Sequence, residues 1–322
     1  MTLGVLTNLL GYMPLRDMLE YLRSLGVESL EIGCGGYPGK DHCDPEALLS
    51  DESKLAEFKA AIEEYGMPVK ALSCHGNPVH PNKELAEKYR RDFRNAVLLA
   101  EKLGVETVVG FSGCPGDCPS SENPNWVTCF WPEDYMKVLD YQWNEVLIPY
   151  WRQEAEFCRR HGLKHIAFEM HPGFCVYNPE TLLRLRSEVG DIIGANLDPS
   201  HLIWQGIDPV AAIRALTGAI YHFHAKDTII DKYNCAVNGV LDTKPYADEL
   251  HRSWVFRSVG YGNGEKYWRD IVSALKLSGY DGIISIEHED SFMTNREGLE
   301  KAVKFLDGIL IRDPKPSTMH WA

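Results

Sequence analysis

The chain has 322 residues, of which 44% are hydrophobic and 25% are charged, and its formal net charge is −13. This length and composition suit one large globular α/β domain. The negative charge argues against a DNA- or RNA-binding surface, which requires clustered Lys and Arg along the phosphates. No stretch is long and apolar enough to cross a membrane, and the first ten residues lack the basic segment of an export signal. We therefore expect neither a nucleic-acid partner nor a membrane partner.

Nine cysteines are spread along the chain without a regular framework of spacings. An odd number of cysteines in a large chain without an export signal favours reduced thiols. We therefore expect a cytoplasmic protein.

Short apolar runs typical of β-strands alternate with stretches of helical periodicity. The predicted strands are 3–7, 29–33, 69–75, 107–113, 165–171, 192–198, 219–227 and 282–290. Between them, residues 84–103 place their apolar side chains on one helical stripe, and Asn178 and Asp208 each precede a proline that can begin a helix. Strict alternation of this kind predicts the α/β class and a (β/α)8 TIM barrel. We expect one domain, 1–310, followed by a C-terminal tail, 311–322.

Two connections are much longer than is usual between a strand and a helix. They cover about 114–132, which is rich in Cys, Pro and aromatic residues, and about 228–258. Both follow predicted strands, so both should lie at the C-terminal face of the barrel, where the active sites of this fold are built.

The last four predicted strands each end in a side chain that can bind a metal. These are Glu169 in "AFEMHP", Asp198 in "NLDPSH", His224 in "HFHAKD" and Glu287 in "SIEHED". Successive residues of a strand alternate between its faces, and the register of these endings points all four toward the barrel axis. Carboxylates there are costly unless they are paired or bind a cation. The pattern predicts a site for one divalent metal, and three oxygen donors with one nitrogen favour Mn²⁺, with Mg²⁺, Co²⁺ and Zn²⁺ also compatible.

Further polar side chains continue the same strand faces or stand at the predicted rim. The candidates for substrate binding are Glu31, His75, His201, His222, Lys226 and Arg257. Parity along a strand places these residues on a face, and we expect them around the metal.

The order Glu, Asp-x-x-His, His, Glu resembles that of the xylose-isomerase-like TIM-barrel superfamily, the sugar phosphate isomerase/epimerase family that includes ketose 3-epimerases and inosose dehydratases. The stretches "NLDPSHL", "HFHAKD" and "GYDGIISIEHED" carry the resemblance. It implies that Glu169, Asp198, His224 and Glu287 bind the metal and that Glu169 and Glu287 are catalytic, exchanging the proton of the sugar. It also implies that His201 contacts substrate oxygens and that the chain forms a homo-oligomer.

Two departures bear on the reaction. Cys175 and Ile230 stand where ketose 3-epimerases carry a Glu and an Arg, which argues against a free ketohexose. Lys226 in "HAKD" is more similar to the inosose dehydratase branch. We expect a metal-dependent sugar isomerase or epimerase that transfers a proton through an enediolate of a sugar or keto-sugar.

The alternative is a lyase or dehydratase that acts by β-elimination on a keto-inositol, keto-sugar or 3-keto-glycoside. A non-catalytic sugar-binding barrel is disfavoured because all four ligand types are present. A nuclease is disfavoured by the net charge of −13.

Overall fold

A computed structural model describes residues 1–314 as a closed barrel of eight parallel strands with helices between them. This confirms the predicted (β/α)8 architecture. The barrel strands are β1 (Thr2–Leu6), β2 (Ser29–Gly36), β3 (Val69–His75), β4 (Thr107–Gly110), β5 (His165–Glu169), β6 (Ile193–Leu197), β7 (Ile220–Ala225) and β10 (Ile283–Ile286). Each pairs with its neighbour in chain order, and β10 closes the barrel against β1. Residues 315–322, which include most of the predicted tail, lie outside the described part of the chain.

The outer layer consists of helices of very different lengths. They are α1 (Leu15–Ser24), α2 (Pro45–Ser50), α3 (Glu52–Tyr65), α4 (Lys83–Leu103), α5 (Asp134–Asp140), α6 (Ile148–Arg160), α7 (Pro179–Val189), α8 (Pro199–Trp204), α9 (Pro209–Ala215), α10 (Lys232–Asn238), α11 (Glu265–Leu277) and α12 (Asn295–Asp307). A 3₁₀ turn, Thr7–Leu10, follows β1, and a π-helical stretch, Tyr141–Leu147, joins α5 to α6.

The helix starts predicted from proline positions are present. Asn178 caps α7 through a reciprocal pair of hydrogen bonds with Thr181, and Asp208 caps α9 by accepting the amide hydrogen of Ala211 at 2.8 Å. Side-chain acceptors of this kind satisfy amide groups that have no partner in the first turn of a helix.

The two faces of the barrel strands carry different residues. Outward-facing Ile284 and Ile286 of β10 belong to the large apolar core between the sheet and the helices. Ala71, Val109 and Ala167 form a separate small cluster inside the barrel. The apolar core therefore encloses a barrel whose axis is free for small and polar side chains, the layout expected from strand parity.

The connection predicted as a long loop at 228–258 contains regular structure. After β7 the chain forms an antiparallel hairpin of β8 (Asp227–Ile230) and β9 (Trp254–Arg257), with α10 between the two strands. The predicted strand 219–227 therefore ends at Ala225, and Asp227 already belongs to the hairpin.

Asp227 anchors this hairpin to the barrel. Its buried Oδ2 accepts hydrogen bonds from the backbone N–H groups of Gly260, Gly262 and Asn263 at 2.9–3.1 Å and from Nε1 of Trp268 at 3.0 Å. A Cβ at Gly262 would lie 2.7 Å from Oδ1 of Asp227, so the loop can approach the carboxylate because glycine is there.

No helix within residues 1–314 is long and apolar enough to cross a membrane.

We predict that Asp227→Asn lowers the free energy of unfolding by about 3 kcal/mol. The amide would turn a donor toward a set of N–H donors and leave buried hydrogen-bonding groups unpaired. Urea denaturation followed by circular dichroism measures the change. The matched control is Asp231→Asn, because Asp231 only caps α10 and asparagine caps helices equally well. Equal unfolding midpoints for the two variants would contradict the anchoring role of Asp227.

Candidate metal centre

Four strands bring the predicted metal ligands together at the C-terminal end of the barrel. Glu169 is the last residue of β5 and His224 lies in β7, while Asp198 and Glu287 directly follow β6 and β10. One potential ligand atom from each of the four lies within 4.8 Å of the others. Asp198 also caps α8, since its Oδ1 accepts the amide hydrogen of Ser200 at 2.8 Å, which leaves Oδ2 directed at the cluster.

The donor atoms fit a cation. Oδ2 of Asp198 and Oε2 of Glu287 are buried and accept no well-aligned hydrogen bond from the residues that the structure describes. The three carboxylates bring three negative charges, and the ammonium group of Lys226, which also contacts Glu289, balances only part of this charge. A divalent cation would balance more of it, and carboxylate oxygens with one imidazole nitrogen are ligands that Mn²⁺, Mg²⁺, Co²⁺ and Zn²⁺ accept.

Polar nitrogen atoms surround Glu169 on three sides. Nε2 of His75 and Nδ2 of Asn196 each lie 3.1 Å from its Oε2, and Nε2 of His201 lies 3.1 Å from its Oε1. Burial raises the pKa of Glu169, but the contacts with His201, His224 and His75 outweigh it and hold the pKa well below its usual range. Glu169 is therefore an ionised carboxylate in a defined orientation, and His75 and His201 lie beside the ligand cluster.

Lys226 connects the ligand cluster to the rim of the barrel. Its buried Nζ lies 3.1 Å from Oδ2 of Asp198, 3.1 Å from Oε2 of Glu287 and 3.0 Å from Oε2 of Glu289. Burial lowers the pKa of Lys226, yet the carboxylates of Asp198, Glu287 and Glu289 raise it well above its usual range. The side chain is therefore a buried cation at neutral pH.

Glu287 faces solvent more than the other three ligands, with 15% of its side chain exposed. Burial raises its pKa, but the charges of Lys226 and His224 lower it to about 2. Access to the cluster is therefore on the side of Glu287 and Glu289, of which the second is 49% exposed.

Glu31 and His222, predicted as substrate-binding candidates, lie deeper in the barrel than the ligands. Glu31 is fully buried and contacts Nε2 of His222 at 2.8 Å and Nε2 of His224 at 3.0 Å. Burial raises the pKa of Glu31, but His222 and His224 hold it well below its usual range. Both residues lie behind His224 as seen from the ligand cluster, and a role for them in substrate binding stays a prediction.

Arg257 is the last residue of β9. Its Nε donates to Oδ2 of Asp290 at 3.1 Å, and its guanidinium group packs over the ring of Phe292 at 4.6 Å. A role of Arg257 in substrate binding stays a prediction.

Three residues near the cluster were not among the sequence candidates. His171 follows Glu169 by two residues and packs against His201, with ring centroids 4.1 Å apart. Glu289 follows Glu287 by two residues and contacts Lys226. The two-residue alternation that identified the ligands, continued past the strand ends, would have found both. Asn196 lies two residues before Asp198, so strand parity gives both the same face of β6, but no sequence pattern indicates its contacts with Glu169 and His224.

Aromatic side chains border the cluster on two sides. Phe256 of the hairpin packs against His201 and under Nζ of Lys226, at 4.7 Å from the nitrogen to the ring centroid. On the other side Phe111 stacks on Phe174 at 4.2 Å and contacts His75 edge-on at 4.6 Å.

A cavity of about 940 Å³ lies at the opposite, N-terminal mouth of the barrel. First residues of strands, among them Thr2, Val69 and Thr107, line it. His222 lines its inner end, but none of the four clustered residues Glu169, Asp198, His224 and Glu287 does. Catalytic sites of this fold lie at the other end, so we do not assign the chemistry to this cavity.

Comparisons with known proteins agree with the barrel fold. Residues 19–309 match the family model described as xylose isomerase-like TIM barrel. The uncharacterized protein YfiH of Bacillus subtilis (strain 168) is 41% identical over 308 residues, which cover 95% of this chain and 98% of YfiH.

Two solved structures are similar over nearly the whole chain. The probable 3-DHS dehydratase AsbF of Bacillus anthracis superposes with a TM-score of 0.65 at 17% identity, covering 95% of this chain and 99% of AsbF. The IolI protein, solved with a bound zinc atom, superposes with a TM-score of 0.64 at 19% identity, covering 96% of this chain and 98% of IolI. At these identities the superpositions establish the fold alone. The match of the family model to most of the chain shows that this protein belongs to the xylose isomerase-like TIM barrel family.

Proposed function

We propose that this protein is a divalent-metal-dependent isomerase or epimerase that moves a proton on a sugar or keto-sugar. The observation that carries the proposal is the convergence of Glu169, Asp198, His224 and Glu287, whose ligand atoms lie within 4.8 Å of one another. A divalent cation bound there supplies positive charge that stabilises an enediolate next to a carbonyl group.

The side chains around the cluster can perform the proton transfers. Glu169 and Glu287 have pKa values below their usual range, so both are ionised at neutral pH and can accept a proton. One carboxylate removes a proton from the carbon beside the carbonyl and the other returns one. Return to the same carbon gives an epimer, and return to the neighbouring carbon exchanges aldose and ketose. His201 and His75, which contact Glu169, are in position to orient substrate oxygens.

One observation favours a second candidate, a dehydratase or other lyase. Lys226 is a buried ammonium group that contacts two ligand carboxylates and Glu289 on the open side of the cluster. Such a group can protonate a leaving oxygen, which would turn the same proton abstraction into β-elimination. The structurally similar AsbF, described as a probable 3-DHS dehydratase, adds support for a dehydratase function.

The donor set leads us to propose Mn²⁺ as the native metal. The zinc atom of IolI makes Zn²⁺ the first ion to compare with it. A cytoplasmic location and a homo-oligomeric state complete the proposal.

We predict that the purified protein contains about one equivalent of a divalent metal and that Asp198→Asn contains less than a tenth of it. Asparagine still caps α8 but offers a neutral oxygen to the cation. Elemental mass spectrometry measures the metal. Adding Mn²⁺ at 100 times its Kd to the metal-free wild type should stabilise the fold by about 2.7 kcal/mol, read as a rise in Tm.

The matched control for this prediction is Asp208→Asn. Asp208 and Asp198 are both N-cap residues followed by proline, but Asp208 belongs to the outer layer of helices. Asp208→Asn should retain the metal. Absence of metal in the wild type, with no rise in Tm on adding Mn²⁺ or Zn²⁺, would contradict the proposed function.

A second experiment separates isomerisation from elimination. We predict that keto-sugars incubated with the metal-loaded enzyme in D₂O yield products of unchanged formula that carry deuterium at carbon. Lys226→Met should lower this exchange less than 100-fold, since Lys226 is not the base. If the protein is a lyase, the product has lost water or an alcohol. Lys226→Met should then abolish elimination while deuterium exchange into the substrate continues.

Two variants calibrate this experiment. Glu287→Gln should suppress both exchange and elimination because it removes one of the two proton acceptors, typically by 10²- to 10⁴-fold. Lys232→Met, in the exposed helix α10, should leave both rates unchanged. Mass spectrometry and proton NMR of the products give both rates. Full exchange in Glu287→Gln would exclude Glu287 from proton transfer.

A further inference from the structure

Glu31 stands behind the metal centre with a carboxylate that has no exposure and four polar neighbours. Oε1 accepts from the Ser73 hydroxyl group, and Oε2 accepts from the Ser285 hydroxyl group at 2.5 Å and contacts Nε2 of His222 at 2.8 Å. Nε2 of His224 lies 3.0 Å from both oxygens. These partners belong to β3, β10 and β7. Glu31, which lies in β2, therefore connects strands on both sides of the β1–β10 pair that closes the barrel.

The imidazole of His224 is thereby placed between two different environments. Its Nε2 faces Glu31, whereas its Nδ1 lies 2.9 Å from Oε2 of Glu287 and 3.3 Å from Oε2 of Glu169. Only one ring nitrogen of a neutral histidine carries a proton, and the hydrogen bond at the other nitrogen decides which. A proton on Nε2, donated to Glu31, leaves the lone pair of Nδ1 directed at the ligand cluster.

Asn196 adds a polar contact on the side of the ring that faces the ligand cluster. Its Nδ2 lies 3.1 Å from Oε2 of Glu169 and 3.1 Å from Nδ1 of His224. The opposite orientation of the amide would turn Oδ1 toward the Glu169 carboxylate, an unfavourable contact between two acceptors. Asn196 therefore helps to hold the ring with Nδ1 toward the cluster and Nε2 toward Glu31.

We propose that Glu31 is a positioning residue that holds His224 with its proton on Nε2 and its Nδ1 lone pair toward the divalent cation. Ser73, Ser285 and His222 hold Glu31 in turn. The inference rests on the proposed function because it assigns a role toward the metal of that function. Carboxylates that accept a hydrogen bond from a metal-binding histidine orient the ring and raise the affinity for the metal.

Small apolar side chains fill the barrel interior near Glu31. They are those of Ala71, Val109 and Ala167. A buried carboxylate costs more than such groups unless its contacts compensate it. The contact that relates Glu31 to function is the one to His224.

The test is the metal affinity of Glu31→Gln, measured by competition with a chelating dye for Mn²⁺ and Zn²⁺. Glutamine keeps the size of the side chain but removes the charge and brings an N–H group toward His224. We expect a Kd about 10- to 100-fold higher than that of the wild type. The matched control is Glu154→Gln, because Glu154 is equally buried but pairs with Arg94 in the outer helices. Its Kd should not change.

A second measurement locates the proton on the His224 ring of the wild type directly. In ¹⁵N-histidine NMR spectra of the zinc-loaded protein, His224 should show a protonated Nε2 and an unprotonated Nδ1. The His224→Gln spectrum assigns the signal. In metal-free Glu31→Gln, the same signal should report a mixture of tautomers.

The outcomes distinguish the inference from the proposed function. If the wild type binds one equivalent of metal but Glu31→Gln binds it with unchanged Kd, the function stands and the inference is overturned. A wild-type His224 without a proton on Nε2 also overturns it. Two equivalents of metal, one of them lost in Glu31→Gln, would make Glu31 a ligand rather than a positioning residue. If the wild type binds no metal, both the inference and the proposed function are overturned.

Discussion

The compensation of buried negative charge at one end of the barrel is the constraint on which the site depends. Glu169, Asp198 and Glu287 lie closer together than isolated carboxylates tolerate away from water. Histidines, an asparagine and Lys226 supply part of the compensation. The part that remains matches the divalent cation that we propose. The ionised carboxylates of Glu169 and Glu287 lie beside that site.

The barrel axis carries two connected polar layers. The upper layer surrounds Glu169 and the lower layer surrounds Glu31, and His224 belongs to both. Asn196 reinforces the connection by contacting Glu169 and His224 together. Since polar networks in a closed interior restrain one another, the ligand atoms are held before any cation arrives. Preorganisation of this kind lowers the free-energy cost of binding a cation and fixes the positions of the atoms that would bind it.

Strand parity was sufficient to predict the fold and the four-residue cluster, because each ligand stands at or directly after the end of a regular strand. Strand parity could not predict how deep each side chain lies along the barrel axis. Glu31 lies in β2, whose pairing with β3 shifts register on either side of Ile32, so counting residues along the strand does not give its level in the barrel. The surroundings of Arg257 could not be predicted for another reason: its strand belongs to a hairpin outside the barrel, and the sequence 228–258 gives no clear alternation to reveal it.

The hairpin of β8 and β9 has its own apolar cluster, formed by Trp204, Trp254 and Phe256, separate from the main core. Asp227, next to Lys226 in the chain, ties it to the loop before α11, and Trp204 of α8 stacks on Trp254 of β9. Phe256 of β9 packs against His201 and Lys226, so the hairpin forms an aromatic wall beside the ligand cluster. The four clustered side chains, in contrast, stand at the ends of barrel strands. A change of sequence in the hairpin can therefore reshape this wall without replacing any of the four.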